Sequence, residues 1–182
     1  MADYNQYLQA AMEMARKAGD IHLEYFRTSH LDMHTKLNDS DVVTAADKAA
    51  EDYIKTTIHQ RFPDHGIIAE ESGVENADHE WRWVVDPLDG TTNFSQGLPV
   101  FCCSIALEHF GEAVVGVVYA PYMRELFHAV KGSGAFLNGK RISCSDKAEI
   151  SCAVVATGVP YDKTDNPDNN LREIMAIVPH VR

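Results

Sequence analysis

Apolar residues return every three or four positions in two stretches of the chain. The first holds Leu8, Ala11, Met12, Ala15, Ala18, Gly19, His22 and Phe26, behind Asp3-Tyr4-Asn5-Gln6, which reads as a capping box. This spacing predicts an amphipathic helix over about the first 25 residues, with His22 as a hydrogen-bonded packing histidine. The second holds Ala46, Ala50, Tyr53, Ile54, Thr57 and Ile58, opened by Thr44 as N-cap with Asp47 three residues on and stopped by Pro63. Between them, Leu31 to Asp41 predicts a strand and then an acidic loop. Beyond the second helix the pattern turns β-like. Ile67-Ile68-Ala69 is a short strand, and Val74 to Glu80 is polar enough to read as a surface loop. Trp83 to Val85 is apolar and ends at Asp86-Pro87, where proline should stop the strand. Val100–Glu108, Ala113–Tyr119, Glu125–Val130 and a hairpin turning at Asn138-Gly139 complete an antiparallel meander. After a polar break, Ala153–Thr157 predicts a strand and Leu171–Val178 a helix, which together read as the start of a new α/β layer. The expected division is an α+β domain over 1–145 and the beginning of a C-terminal α/β domain over 146–182.

Composition narrows the classes. With 182 residues and 45% hydrophobic content, the chain can bury a core. A net charge of −11 and the absence of any basic run argue against nonspecific nucleic-acid binding. The four cysteines (Cys102, Cys103, Cys144, Cys152) form no C-x-x-C and are expected as buried free thiols in a reducing cytoplasm. The N-terminus has no leader pattern, and no apolar run is long enough to span a bilayer.

The candidate chemistry sits at Trp83 to Phe94, W-V-V-D-P-L-D-G-T-T-N-F. Two acids, Asp86 and Asp89, stand where an apolar strand meets a tight turn, a position that packing explains poorly and a hard cation explains well. Glu70-Glu71-Ser72-Gly73 repeats the arrangement after the earlier strand. Glu70, Asp86, Asp89 and the Leu88 carbonyl could thus hold Mg²⁺, and two such ions about 4 Å apart would clamp both oxygens of a phosphoryl transfer. Gly90, Thr91 and Thr92 offer backbone N–H groups and hydroxyls to a phosphate. Thr91 could hold a water and Glu70 take its proton. Asp47 is explained either by the helix dipole or by support of a metal site. Lys36 reads as a surface lysine. The D-G-T also ends the D-x-D-G-T motif of haloacid-dehalogenase-type phosphatases, but Pro87 stands where their nucleophile belongs, so a covalent phosphoenzyme is not expected.

On these residues the chain resembles the inositol monophosphatase family of Mg²⁺-dependent, lithium-sensitive phosphatases. Asp41 to Asp47 (D-V-V-T-A-A-D), A-E-E-S-G around Glu70, the central motif, and G-S-G-A-F-L-N-G-K at Gly132 to Lys140 all carry the resemblance. It implies a layered αβαβα sandwich, usually dimeric. Glu70, Asp86 and the Leu88 carbonyl would bind a first Mg²⁺, and Asp86 and Asp89 a second. Glu70 would help with a weaker third. Thr91 and Glu70 would activate water, Asp47 would partner Thr91, and Lys36 would approach the site. The implied reaction is hydrolysis of a small polyol phosphate, foremost inositol 1-phosphate. Adenosine 3′,5′-bisphosphate, fructose 1,6-bisphosphate and histidinol phosphate are the alternative substrates, and an inactive metal- or partner-binding fragment is the rival class. The family's second motif, W-D-x-A-A-G, is absent, since both tryptophans, Trp81 and Trp83, belong to the first. The resemblance therefore implies a longer parent chain that supplies a further metal ligand and the substrate-ring contacts.

Overall fold

The computed structural model describes residues 4–28, 33–35, 42–160 and 164–182. Lys36, Asp41 and the capping residue Asp3 lie outside the described residues. Two compact units emerge, Met1–Ile142 and Ser143–Arg182.

The first unit is two helices on a sheet. Helix α1 (Asn5–Tyr25) buries most of the expected stripe, including Leu8, Ala11, Ala15 and Ala18, and buries Met14 while Met12 stays half-buried. Helix α2 (Ala45–Arg61) starts at a capping box: Thr44 Oγ1 accepts from Ala46 N (3.2 Å), and Asp47 Oδ2 accepts from Thr44 N (2.9 Å). A two-stranded ribbon precedes it, β1 (Met33–Thr35), within the stretch expected to hold a strand, antiparallel to β2 (Val42–Thr44), a strand the sequence pattern did not single out. The large sheet contains β3 (Gly66–Ala69), β4 (Gly73–Glu75), β5 (Trp81–Asp89), β6 (Cys102–His109), β7 (Glu112–Ala120), β8 (Glu125–Val130), β9 (Gly134–Leu137) and β10 (Lys140–Ile142). Their order is β10-β9-β8-β7-β6-β5-β3-β4. Every pairing is antiparallel except β3 with β5, which run parallel. The Asn138-Gly139 turn has φ of 48° and 78°, the left-handed pair a type I′ hairpin requires.

Alternation along the central strands decides where the core lies. Trp83 and Val85, Cys103, Ile105 and Leu107, and Val115 and Val117 are buried against α1 and α2, with Ile54 and Ile58 opposite them. The other face of the sheet carries small and apolar residues such as Ala106, Gly116, Val118 and Ala129, which line a shallow groove. A smaller cluster of Ala46, Leu88, Phe94 and Phe101 seals the end of the sheet where β5 finishes. His22 from α1 packs edge-on to Phe94 and Phe101 there. Burial lowers its pKa to about 4, so it is a neutral ring. The Pro87 carbonyl lies near enough to oppose that shift slightly, yet neither ring nitrogen makes a hydrogen bond of good geometry. His22 is thus a packing residue as expected, without the satisfied hydrogen bonding.

Four further expectations change. Gly73–Glu75 is a strand, because β3 turns back immediately through Gly73 (φ 84°) and pairs with it. Pro87 does not end β5. The strand runs to Asp89 through a register shift that removes the need for a proline N–H in the ladder. Ala153–Thr157 is not a strand, since no strand among the described residues pairs with it. The cysteines are free, but only Cys103 is buried, and Cys144 and Cys152 are exposed. In the second unit, α4 (Leu171–Ile177) leads into a 3₁₀ turn over Val178–His180 that contains Pro179. None of its described residues is buried, so this unit has no core of its own. Among the described residues, no helix is long and apolar enough to cross a membrane.

At Gly19, α1 lies close against the end of β7. A Cβ there would lie 2.5 Å from Tyr119 Cε1 and 3.0 Å from Pro121 Cβ. Alanine would gain about 1 kcal/mol of helix propensity but cost about 1–3 kcal/mol of overpacking. Gly19→Ala is therefore expected to destabilise the protein by up to about 2 kcal/mol. Urea unfolding would show a lower midpoint at unchanged slope.

Candidate active site

The parallel pairing of β3 with β5 sets the ends of both strands side by side. Ala69 is opposite Val85, and Glu70 N donates to Val85 O (3.1 Å) as β3 ends. The next residue on each strand is an acid, Glu70 and Asp86. Asp89 joins them through the bulge. Residues three apart on a regular strand point to opposite faces. Here Asp86 pairs with Ser104 and Asp89 with Cys102, so three steps on β5 match two on β6. Ser104 and Cys102 share a face, and Asp86 and Asp89 therefore do as well. Cys102 Sγ donates to Asp89 Oδ2 at 3.5 Å, consistent with that shared side.

Electrostatics record the crowding. Asp86 is raised from 3.8 to about 8, first by burial, then by the charges of Glu70 and Asp89. Its Oδ1 is buried and has no hydrogen-bond partner. Burial and Asp89 also push the Cys102 thiol up to about 12. Among the described residues, no set of three acid, histidine or cysteine side chains is closed into a ready cage. The arrangement is a protonated Asp86 beside Glu70, with Asp89 as a third acid close by. Replacing that proton by a divalent cation would satisfy the orphaned oxygen and neutralise the like charges, so the donor set fits a hard metal.

After Asp89 the chain turns through Gly90, whose φ of 88° is left-handed. A Cβ there would meet Val100 O at 2.9 Å, so glycine is required by conformation and by space. Helix α3 (Thr91–Ser95) follows, with Thr91 half-buried and Thr92 exposed. Thr91 Oγ1 lies 3.1 Å from Asp47 Oδ1 and 2.9 Å from Leu88 O. A hydroxyl has one proton, so it donates to one of these acceptors at a time. Asp47 is 1% exposed, and burial raises its pKa, while hydrogen bonds from Thr44 and Thr91 pull it partway back. Asp47 therefore caps α2 and also touches Thr91. Glu70 and Asp89 are exposed, Asp86 half-buried, and Leu88 buried with its carbonyl turned to Thr91.

Sequence reasoning did not single out two residues at this site. One is Cys102, legible only through its register opposite Asp89. The other is Glu51, a glutamate 3% exposed whose Oε2 accepts from Glu71 N at 2.9 Å. Its signal was an acid on the apolar face of α2, one turn after Asp47.

Comparison with known proteins agrees with this fold. The inositol monophosphatase family model matches residues 3–182. An inositol monophosphatase of Dictyostelium discoideum is 42% identical over 164 residues, covering 88% of this chain and 60% of its own. The Nus factor SuhB of Pasteurella multocida is 44% identical over 162 residues, with the same coverage. The chain thus spans 60% of the length of each of these relatives. The structure of an inositol monophosphatase from Anabaena superposes with a TM-score of 0.87 at 39% identity, over 99% of this chain and 66% of that one. The acids at the ends of two parallel strands, the Asp47–Thr91 contact and a family match over nearly every residue lead to one conclusion: the chain belongs to the inositol monophosphatase family.

Proposed function

We propose that the protein acts as a Mg²⁺-dependent phosphatase on monoesters of a small polyol, foremost inositol 1-phosphate. The observation that carries this reading is Asp86: a carboxyl with an unpartnered buried oxygen, crowded by Glu70 and Asp89, beside a threonine tied to a buried aspartate. Glu70, Asp86, Asp89 and the Leu88 carbonyl would hold two to three Mg²⁺ ions. Bound Mg²⁺ supplies neutralising charge for the phosphate and the leaving oxygen.

The chain's own groups do the rest. Thr91 Oγ1 donates to Asp47, which leaves its lone pairs to accept from the attacking water and orient it. Glu70, exposed at the end of β3, takes the water's proton. Backbone N–H groups of Gly90, Thr91 and Thr92 face the phosphate, with Gly90 allowing close approach. The water oxygen bonds to phosphorus as the ester P–O bond breaks, and the leaving alkoxide takes a proton from solvent water. No phosphoenzyme forms, because Pro87 occupies the position a nucleophilic acid would need. Lithium sensitivity, a homodimeric state and a cytoplasmic location belong to the same reading and are supported by family membership. A panel of inositol 1-phosphate, adenosine 3′,5′-bisphosphate, fructose 1,6-bisphosphate and histidinol phosphate separates the substrate choices.

Asp86→Asn is expected to lower Mg²⁺-dependent hydrolysis by about 100-fold or more, while circular dichroism stays native. Turnover near that of the wild type would sink the assignment.

The raised Asp86 pKa gives a signed pH dependence. The folded chain keeps a proton on Asp86 up to about pH 8, whereas the unfolded chain releases it near its ordinary value of 3.8. The group's contribution to stability is complete below that ordinary value and is lost as pH rises through about 8. Mg²⁺ must displace the same proton, so its affinity is expected to rise by up to about tenfold per pH unit and level off above pH 8. Thermal melts with and without Mg²⁺ across this range check the trend. A Mg²⁺ effect that is flat with pH would contradict it.

A further inference from the structure

Helix α2 touches the site twice. Asp47, in its first turn, reaches Thr91. Residues four apart on a helix share one edge, and along that edge follow Glu51, Lys55 and His59. Each of these meets the β3–β4 hairpin. Glu51 Oε2 accepts from Glu71 N (2.9 Å). Lys55 Nζ donates to Ser72 Oγ (2.6 Å) and pairs with Glu75 Oε1 (2.5 Å). His59 Nε2 lies 2.9 Å from Glu75 Oε2. Lys55 and His59 are partly or largely exposed, where such pairs contribute little. Glu51 is different, because a carboxylate 3% exposed is costly unless it is hydrogen-bonded.

We propose that Glu51 is a positioning residue for Glu70, holding the Glu70–Glu71 turn so that the Glu70 carboxylate faces Asp86. The inference rests on the proposed metal site. The turn is fixed on one side by Glu70 N bonding to Val85 O of β5. On the other, it is fixed by Glu71 N bonding to Glu51 of α2. Two consecutive backbone N–H groups are thereby anchored to two different elements, which fixes the direction in which the Cα–Cβ bond of Glu70 leaves the backbone. Asp47 and Glu51 make α2 the common support of the Thr91 and Glu70 limbs of the site.

Glu51→Leu, Glu51→Asp and Glu51→Gln in the 182-residue chain separate positioning from plain packing. Leucine fills the volume without an acceptor. Aspartate keeps the charge but is one methylene too short, and glutamine keeps an acceptor at the same reach. Exposed Asp52→Asn controls for the charge of the helix. Mg²⁺ binding is read by calorimetry, and backbone amide exchange at Glu71 by mass spectrometry. Leu and Asp are expected to weaken Mg²⁺ binding about 10- to 100-fold and to expose the Glu71 amide, with exchange in α2 unchanged. Gln should restore both to within about threefold. If the Leu variant does not fold, the Asp and Gln pair decides. Wild-type Mg²⁺ binding in the Asp variant, or a Gln variant as impaired as Leu, overturns the role of Glu51. A wild-type chain that takes up no Mg²⁺ overturns the proposed function, and with it any need to position Glu70.

Discussion

Three carboxylates brought together at one end of a sheet repel each other, and most of what is distinctive here manages that repulsion. Left alone, Glu70, Asp86 and Asp89 would splay into solvent. Backbone pairing holds them together. The parallel β3–β5 pairing fixes Glu70 beside Asp86, and the bulge in β5 brings Asp89 to the same face. The strain appears as a proton retained on Asp86 to about pH 8. A site built this way is poised for a divalent cation, because the cation removes the repulsion that the fold otherwise sustains.

Such backbone control needs a rigid support, and the core supplies it. Trp83 and Val85 precede the acids on β5 and are buried against α2, whose Ile54 and Ile58 are fully enclosed. Truncating a side chain of that kind costs about 2–5 kcal/mol, a large fraction of a domain's stability. Helix α2 is also the element that carries Asp47 and Glu51. Packing and chemistry are therefore linked: the face of α2 that makes the core fixes the edge of α2 that meets the site.

Much of this was legible in the sequence for physical reasons. Asp86 and Asp89 stood out because acids at the end of an apolar strand have no packing explanation. Thr44 and Asp47 stood out because capping chemistry is local. The two amphipathic helices and the Asn138-Gly139 hairpin follow from spacing and turn preference alone. What escaped depends on partners distant in sequence. Gly73–Glu75 is polar, and only its pairing with β3 makes it a strand. Ala153–Thr157 is as apolar as a strand, yet apolar composition without a neighbouring ladder forms none. Glu51 was not singled out, since its burial is set by the Glu71 amide, twenty residues away.

Pro87 shows how a local rule can be right about mechanism and wrong about structure. A proline lacks the N–H that a ladder needs, so the expectation was that β5 would end there. The strand instead continues to Asp89, and the ladder gives way only between Asp86 and Asp89. That slippage is what a proline favours, because the unpaired position of a bulge asks for no donor. Without it, Asp86 and Asp89 would fall on opposite faces of the sheet and could not share a cation. The residue that places no carboxylate at that point of the strand is thus also the one whose missing N–H suits the register shift that brings Asp86 and Asp89 to the same side.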